Sequence, residues 1–292
     1  MKIGKLPEQM LVRSVLKQAK HRRDEVLVGP AVGQDCAVME LGPDEVFVMS
    51  SDPITGTVKD IGSHGILVTA NGLAASGAEP VGVILTVLLP ENIEEEQIRK
   101  MMQDAERTCK ELNMEIMGGH TEITNVVRQP LLTVTGVGKT KKKDLLTTMQ
   151  VHPGQDIVVT KWIGLEGTSI LAKEKEEELL QRFNQDLVHT AQQFDQYLSV
   201  VQDAKIAQAF GVSAMHDITE GGVFGALWEM AEGSGVGLDA DLKAIPIRQE
   251  TVEVCEYFGL NPYQIMSSGS MMIAADDGHG LVMALEKAGI HA

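Results

Sequence analysis

The chain has 292 residues, too long for one average domain and comfortable for two. Hydrophobic residues make up 43% and charged residues 23%, the balance of a soluble globular protein, and no apolar run reaches the roughly 18 to 20 residues that cross a bilayer, so a membrane role is excluded. The formal charge of −16 repels phosphate backbones and excludes nucleic acid as an expected partner; an anionic ligand would need a helix N-terminus, a glycine-rich nest or a bound cation.

The first helix is expected from Pro7 to Lys20, where Met10, Leu11, Ser14, Val15 and Gln18 share a face. VLVGPAVGQDCAVMEL then reads as a glycine-marked loop with a short apolar strand, and EVFVMSSD as a strand turning polar at its end. SHGILVTANGLAA, closed by Gly77, has the small residues of a tightly packed helix. PVGVILTVLLP is a strongly apolar strand between prolines. From Glu94 to Leu112 the 3.6-residue repeat is plainest: Ile98, Met101, Met102, Ala105, Cys109 and Leu112 form the stripe, acidic residues fill the first turn, and Asn113 can close the helix.

MEIMGGHTEIT and PLLTVTGVGKT follow as strands. The composition then changes abruptly, and Lys139 to Gly154 reads as a hinge separating a domain of residues 1–150 from one of 151–292. In the second half DIVVTKWIG is a strand, GTSILAKEKEEELLQRF opens a helix, and a helix over Val200 to Phe210 stops at Gly211. SAMHDITEGG reads as a loop. Val223, Ala226, Leu227, Met230 and Ala231 line the helix after it, which ends at Gly233. The expected classes are α/β for the N-terminal domain and α+β for the C-terminal one.

Chemistry has four candidate seats: GQDCA with Asp35, SSDPITG with Asp52, GGHTE with His120 and Glu122, and HDITEGG with Asp217, Thr219 and Glu220. An Asp in a glycine loop is most often a turn former or helix cap. Four such stretches without a basic partner point instead to a hard metal, and Mg²⁺ prefers oxygen ligands shared with a nucleotide phosphate. The glycines of HDITEGG open a helix N-terminus suited to phosphate. No GxxxxGK[ST], no GxGxxG after a strand and no GxSxG is present. Cys36, Cys109 and Cys255 are isolated, which argues against a disulfide framework or a zinc site. The opening MKIGKLPEQM lacks the design of a signal peptide, so a cytoplasmic location is expected.

Taken in order, these stretches resemble the AIR synthase-related (PurM-like) superfamily, and most closely its hydrogenase maturation branch, HypE. That pattern has a GxGxDxA loop, a strand ending (S/T)-(S/T)-D, an N-D-(L/I)-A helix followed by G-A-x-P, and a G-G/D-x-T loop; here stand VGQDCA, SSD, NGLAASGAEP and GGHTE. HDITEGGVFGALWEMAEGSGVGLDADLKAIPI resembles the C-terminal pattern D-x-T-x-G-G, E-I-A-E-x-S-G-V-G and A-I-P-(V/I), and PYQIMSSGS the stretch that returns toward the ligand. The resemblance implies a PurM-like two-domain fold dimerising through the N-terminal sheet, with ATP between the domains and Mg²⁺ on its phosphates. It puts Asp35, Asp52 and Asp217 on the metal or phosphate side, and Asn71, Gly119, Thr121, Thr219, Gly221 and Gly222 along the nucleotide. His120 and Glu122 become the catalytic candidates, His120 as phosphate donor or general acid–base and Glu122 as a replacement carboxylate.

Three departures accompany it. Gly72 stands for the family's Asp, and His120 for an Asp or Glu. The last cysteine is Cys255, whereas HypE proteins carry a carbamoylated cysteine on a C-terminal tail, so that self-modification is not expected of these 292 residues. The expected function is a HypE-like ATP-dependent enzyme that activates an oxygen or amide by phosphorylation, with a maturation partner protein. A non-catalytic nucleotide-binding regulator or assembly partner is the alternative, and a kinase of the thiamine-monophosphate kinase type a further one.

Overall fold

A computed structural model describes residues 4–5, 8–28, 38–39, 41–54 and 60–292; Asp35 and its loop lie outside them. The chain forms two compact units, Met1–Leu73 with Ala78–Lys143, and Ala74–Gly77 with Asp144–Ala292.

In the first unit β1 (Gly4–Lys5) precedes α1 (Glu8–Leu11), which continues as a π-helical turn over Val12–Leu16. There follow β2 (Val26–Val28), β3 (Val38–Met39), β4 (Glu45–Ile54), α2 (Ile61–Ala75), β5 (Glu79–Leu89), α3 (Glu95–Glu111), β6 (Glu115–Ile123) and β7 (Leu131–Lys141). The main sheet has the order β1-β6-β5-β7-β4; β5 and β6 are parallel and the other pairs antiparallel, so the α/β expectation becomes a mixed sheet with helices. Strands β2 and β3 pair separately.

Helix α3 is fixed at both ends by the residues that the pattern singled out. Glu94 and Gln97 form a reciprocal capping box, and Asn113 takes a left-handed φ of 56° just past the end. Its stripe of Ile98, Met101, Met102, Ala105 and Cys109 is buried. Helix α2 lies close to its neighbours because glycines clear the way. A Cβ on Gly62 would stand 2.2 Å from the Met101 carbonyl oxygen, one on Gly65 2.8 Å from Val134 Cγ2, and one on Gly136 of β7 2.3 Å from Thr69 Cγ2. Gly65, Thr69 and Gly72 recur at i, i+4 and i+7, so one stripe of small residues faces the sheet.

Strand register sorts the sheet into two faces. Ser50, Asp52 and Ile54 of β4 pair with Gly136, Val134 and Leu132 of β7. Those in turn oppose Val83, Leu85 and Val87 of β5, and Leu85 and Val87 oppose Gly119 and Thr121 of β6. Contacts from Gly65 and Thr69 of α2 mark this as the helix-covered face. The other face carries Phe47, Met49, Ser51 and Pro53, then Thr133 and Thr135, then Ile84, Thr86 and Leu88, then His120 and Glu122.

The second unit contains β8 (Asp156–Val159), α4 (Leu165–Glu174), α5 (Glu176–Leu179), α6 (Gln185–Gln192), α7 (Val201–Phe210), β9 (Ala214–Ile218), α8 (Gly222–Ser234), α9 (Gln249–Phe258), β10 (Ser270–Ala275) and α10 (Gly278–Lys287). Its sheet, β8-β10-β9, is antiparallel throughout. Met215, Met271 and Ile273 pack on one face with Ala204 of α7 and Leu281 of α10, while Ala214, Ile218, Met272 and Ala274 pack on the other with Val223 and Met230 of α8. Helices α4, α6 and α9 bury a satellite cluster around Ala172, Val188 and Val254.

The stretch SAMHDITEGG, expected to be a loop, is a strand from Ala214 through Ile218 and a loop only afterwards, because Ala214, Met215 and Ile218 are buried on alternating faces while His216 and Asp217 leave the alternation unreadable in sequence.

Candidate functional site

Among the acidic motifs of the first unit, Asp52 has the most developed surroundings. It is half-buried on the helix-covered face, and its Oδ2 accepts hydrogen bonds from Ser50 Oγ at 2.8 Å and Thr69 Oγ1 at 3.2 Å. Ser50 reaches it because residues i and i+2 share a strand face. Thr69 reaches it because Gly136 has no side chain, so α2 can press onto β7. Asn71 is buried on α2. Among the described residues, a Cβ on Gly72 would meet only Ser50 Oγ, at 3.8 Å, so they leave room beside Ser50 where the family places an acid.

The other residues of the glycine–threonine motif divide between the two faces. Gly119 and Thr121 lie on the face of Asp52, and Gly119 shares its row, three strand spacings or about 14 Å away. His120 and Glu122 lie on the opposite face, where His120 Nε2 is 3.1 Å from Glu122 Oε2 and both side chains are open to solvent. The sheet therefore does not bring either of them to Asp52. Gly119 also has a structural duty. With φ of 151°, a Cβ there would fall 2.0 Å from the Leu85 carbonyl oxygen, whereas one on Gly118 would meet nothing within 4 Å among the described residues.

In the second unit Asp217 is half-buried on β9, on the face of Met215, while His216 points the other way, its Nε2 2.6 Å from Glu229 Oε2. Thr219, Gly221 and Gly222 form the turn into α8. The Thr219 carbonyl accepts from the backbone N–H groups of Gly222 and Ser267. A Cβ on Gly222 would stand 2.5 Å from the Tyr263 carbonyl oxygen, and Phe224 stacks on Tyr263 with ring centroids 5.3 Å apart. Residues 263–268 are tied in turn to α4, since Ser267 Oγ accepts from the Gly164 N–H and Glu166 Oε2 from the Ser268 N–H. A cavity of about 550 Å³ opens along the free edge of β8, walled by Ile157, Val159, Val223, Leu227 and Ile245; none of the candidate residues lines it.

The donors fit a hard divalent cation. A carboxylate oxygen in a fixed orientation, with phosphate and water as co-ligands, is the usual protein share of a Mg²⁺ site. Among the described residues no three His, Cys, Asp or Glu side chains converge on one point. Neither described thiol competes: burial pushes Cys255 up to about 11 and raises Cys109 further, above ordinary cysteine. Ser50 and Thr69 are absent from the sequence-derived candidates; the motif SSD and the Gly65–Thr69–Gly72 stripe are the signals that carry them.

Two layered units, each a sheet with helices and each carrying a glycine-flanked acidic motif at a strand end, define a class of two-domain α/β and α+β proteins. Residues 33–140 match the N-terminal domain of AIR synthase related protein, and residues 152–292 match its C-terminal domain. The chain belongs to the AIR synthase-related family. A putative hydrogenase expression/formation protein of Methanocaldococcus jannaschii is 26% identical over 93% of this chain and 80% of that protein. The carbamoyl dehydratase HypE of Rhodobacter capsulatus is 28% identical over 82% of this chain and 69% of its own length. Among solved structures, a HypE crystallised in complex with ATP superposes with a TM-score of 0.78 at 17% identity, over 97% of this chain and 83% of that one, which shows the shared fold.

Proposed function

We propose that the protein is an ATP-dependent enzyme of the HypE kind, which activates an oxygen or amide by phosphorylation. The observation that carries this reading is Asp52, presented by Ser50 Oγ and Thr69 Oγ1 on the motif that the family uses for its metal. In the first unit Asp52, with Asp35 as a further candidate, would face Mg²⁺, and Asn71, Gly119 and Thr121 the nucleotide; in the second unit Asp217 is the metal-side candidate and Thr219, Gly221 and Gly222 the nucleotide-side ones. When bound, the cation supplies charge neutralisation on the transferring phosphoryl group, while the chain supplies position. His120 and Glu122, on the other sheet face, are assigned to a separate duty.

Calorimetric titration with ATP, with and without Mg²⁺, tests the reading. Binding should be tighter with Mg²⁺ than without it, and Asp52→Asn should weaken the Mg²⁺-bound complex by about 1 to 3 kcal/mol, the worth of one contact to a charged group. Equal affinity without the metal, or an unaffected Asp52→Asn, overturns it. A second reading, a nucleotide-binding regulator without turnover, is favoured by Gly72, where the family's acid is replaced by open space. Binding without ATP hydrolysis by the full chain would select it.

A further inference from the structure

The Asp52 carboxylate does not hang freely from its strand. Both hydroxyls donate to the same oxygen, one from two residues earlier on β4 and one from a helix packed across the sheet. Thr69 is fully buried, and its methyl fills the slot left by Gly136, where a Cβ would come within 2.3 Å. A threonine in a helix ordinarily can turn its hydroxyl back to the preceding turn's carbonyl; here the packed methyl leaves the hydroxyl facing Asp52. Ser50 Oγ borders the room beside Gly72. A carboxylate oriented from two directions has lost the rotational freedom that a cation would otherwise have to remove on binding.

We propose that Ser50 and Thr69 are positioning residues of the candidate metal site: by holding Asp52 Oδ2 they fix the angle at which the carboxylate meets a nucleotide-bound divalent cation. This rests on the functional reading above. Neither side chain touches the nucleotide; both act through Asp52. Outer partners of this kind are worth about 10- to 100-fold in metal affinity.

Thr69→Val keeps the shape and removes the hydroxyl, Thr69→Ser keeps the hydroxyl, and Ser50→Ala removes the second donor at a half-exposed position where folding is least at risk. Mn²⁺ binding to the full chain, saturated with a non-hydrolysable ATP analogue, is followed by electron paramagnetic resonance. Thr69→Val and Ser50→Ala should each weaken Mn²⁺ by about 10- to 100-fold and leave the affinity for metal-free analogue unchanged, while Thr69→Ser stays near wild type. Wild-type Mn²⁺ affinity in Ser50→Ala and in a folded Thr69→Val overturns the proposal and leaves the functional reading standing. A wild-type chain that binds no Mn²⁺–analogue overturns both.

A ligand-free arm separates them further. In a double-mutant cycle of Asp52→Asn with Ser50→Ala, unfolding losses that simply add would show no link between the side chains and refute the positioning whatever the metal does. Coupled losses support it.

Discussion

Alanine at Gly119 and at Gly118 should have opposite fates although the two residues adjoin. At Gly119 a Cβ would lie 2.0 Å from the Leu85 carbonyl oxygen and 2.9 Å from that residue's N and C atoms, all of them backbone of the paired strand β5. No rotamer change relieves such a clash. The φ of 151° adds strain of about 1–3 kcal/mol for a residue with a side chain, and forced repacking adds about 1–3 kcal/mol more. The sum, about 2–6 kcal/mol, is a large part of the roughly 5–15 kcal/mol that holds a protein folded. At about 2–4 °C per kcal/mol it corresponds to a fall in Tm of roughly 4–24 °C. Gly118→Ala meets nothing within 4 Å among the described residues and should stay within about 0.5 kcal/mol of wild type. Urea unfolding and a thermal scan of both variants decide the matter. Equal effects, or a Gly119→Ala as stable as wild type, would refute the strand-pairing account. Because Gly118→Ala is expected to fold normally, any loss of nucleotide affinity in that variant would report on binding alone.

Acid should loosen the first unit through Glu25, whose carboxyl is held down to about 2, from 4.5, chiefly by the hydrogen bond from Arg23 and also by Lys139. A depressed folded value means that the stabilisation is present above about pH 4.5 and drains as the pH falls toward about 2; Glu25→Gln should flatten the Tm profile in that window, and an unchanged slope would count against the link. The open sheet face, with Phe47 47% and Met49 65% exposed beside half-buried Ile84 and Leu88, should close against a second copy, so light scattering should return twice 31.6 kDa. A mass near 31.6 kDa at micromolar concentration rules this dimer out.

The amino-acid pattern reveals most where a period is uninterrupted. Helix α3 could be read to its caps because its apolar stripe, capping box and closing Asn113 all agree, and β5 because the apolar run from Val81 to Leu89 between two prolines has no other comfortable place. Strand β9 was hidden because His216 finds a partner in Glu229 and Asp217 occupies the alternate face, so neither residue type announces a strand. At the candidate site, SSD and GGHTE are legible as motifs, but which of their residues share a face depends on register across four strands. Local spacing puts His120 and Glu122 together; only the register of β6 on β5, β5 on β7 and β7 on β4 shows that they turn away from Asp52. Thr69 was harder still, since its hydroxyl matters only once Gly136 lets α2 approach.

That division of faces makes the two departures from the family's acids unequal, and restoring each acid tests it. A side chain built at Gly72 starts 3.8 Å from Ser50 Oγ, on the helix stripe above Asp52, and meets no other atom of the described residues within 4 Å outside its own helix. An aspartate there adds a second oxygen ligand within reach of the first, and Mg²⁺ is commonly held by one or two carboxylates plus phosphate. At position 120 an aspartate would project from the opposite face of β6, beside Glu122 and on the sheet face expected to close against a second copy. It would change the charge of the open face without approaching Asp52. Gly72→Asp should therefore tighten Mg²⁺-dependent ATP binding by about 1–3 kcal/mol, a charged-group contact, while His120→Asp leaves it within about 0.5 kcal/mol, as for a change away from the metal. The measurement is the Mg²⁺ dependence of the calorimetric ATP isotherm for the two variants, alone and combined. If His120→Asp tightens the metal as much as Gly72→Asp does, the register argument fails and the two acids belong to one site. If Gly72→Asp loosens it, the space beside Ser50 is reserved for something other than a ligand carboxylate.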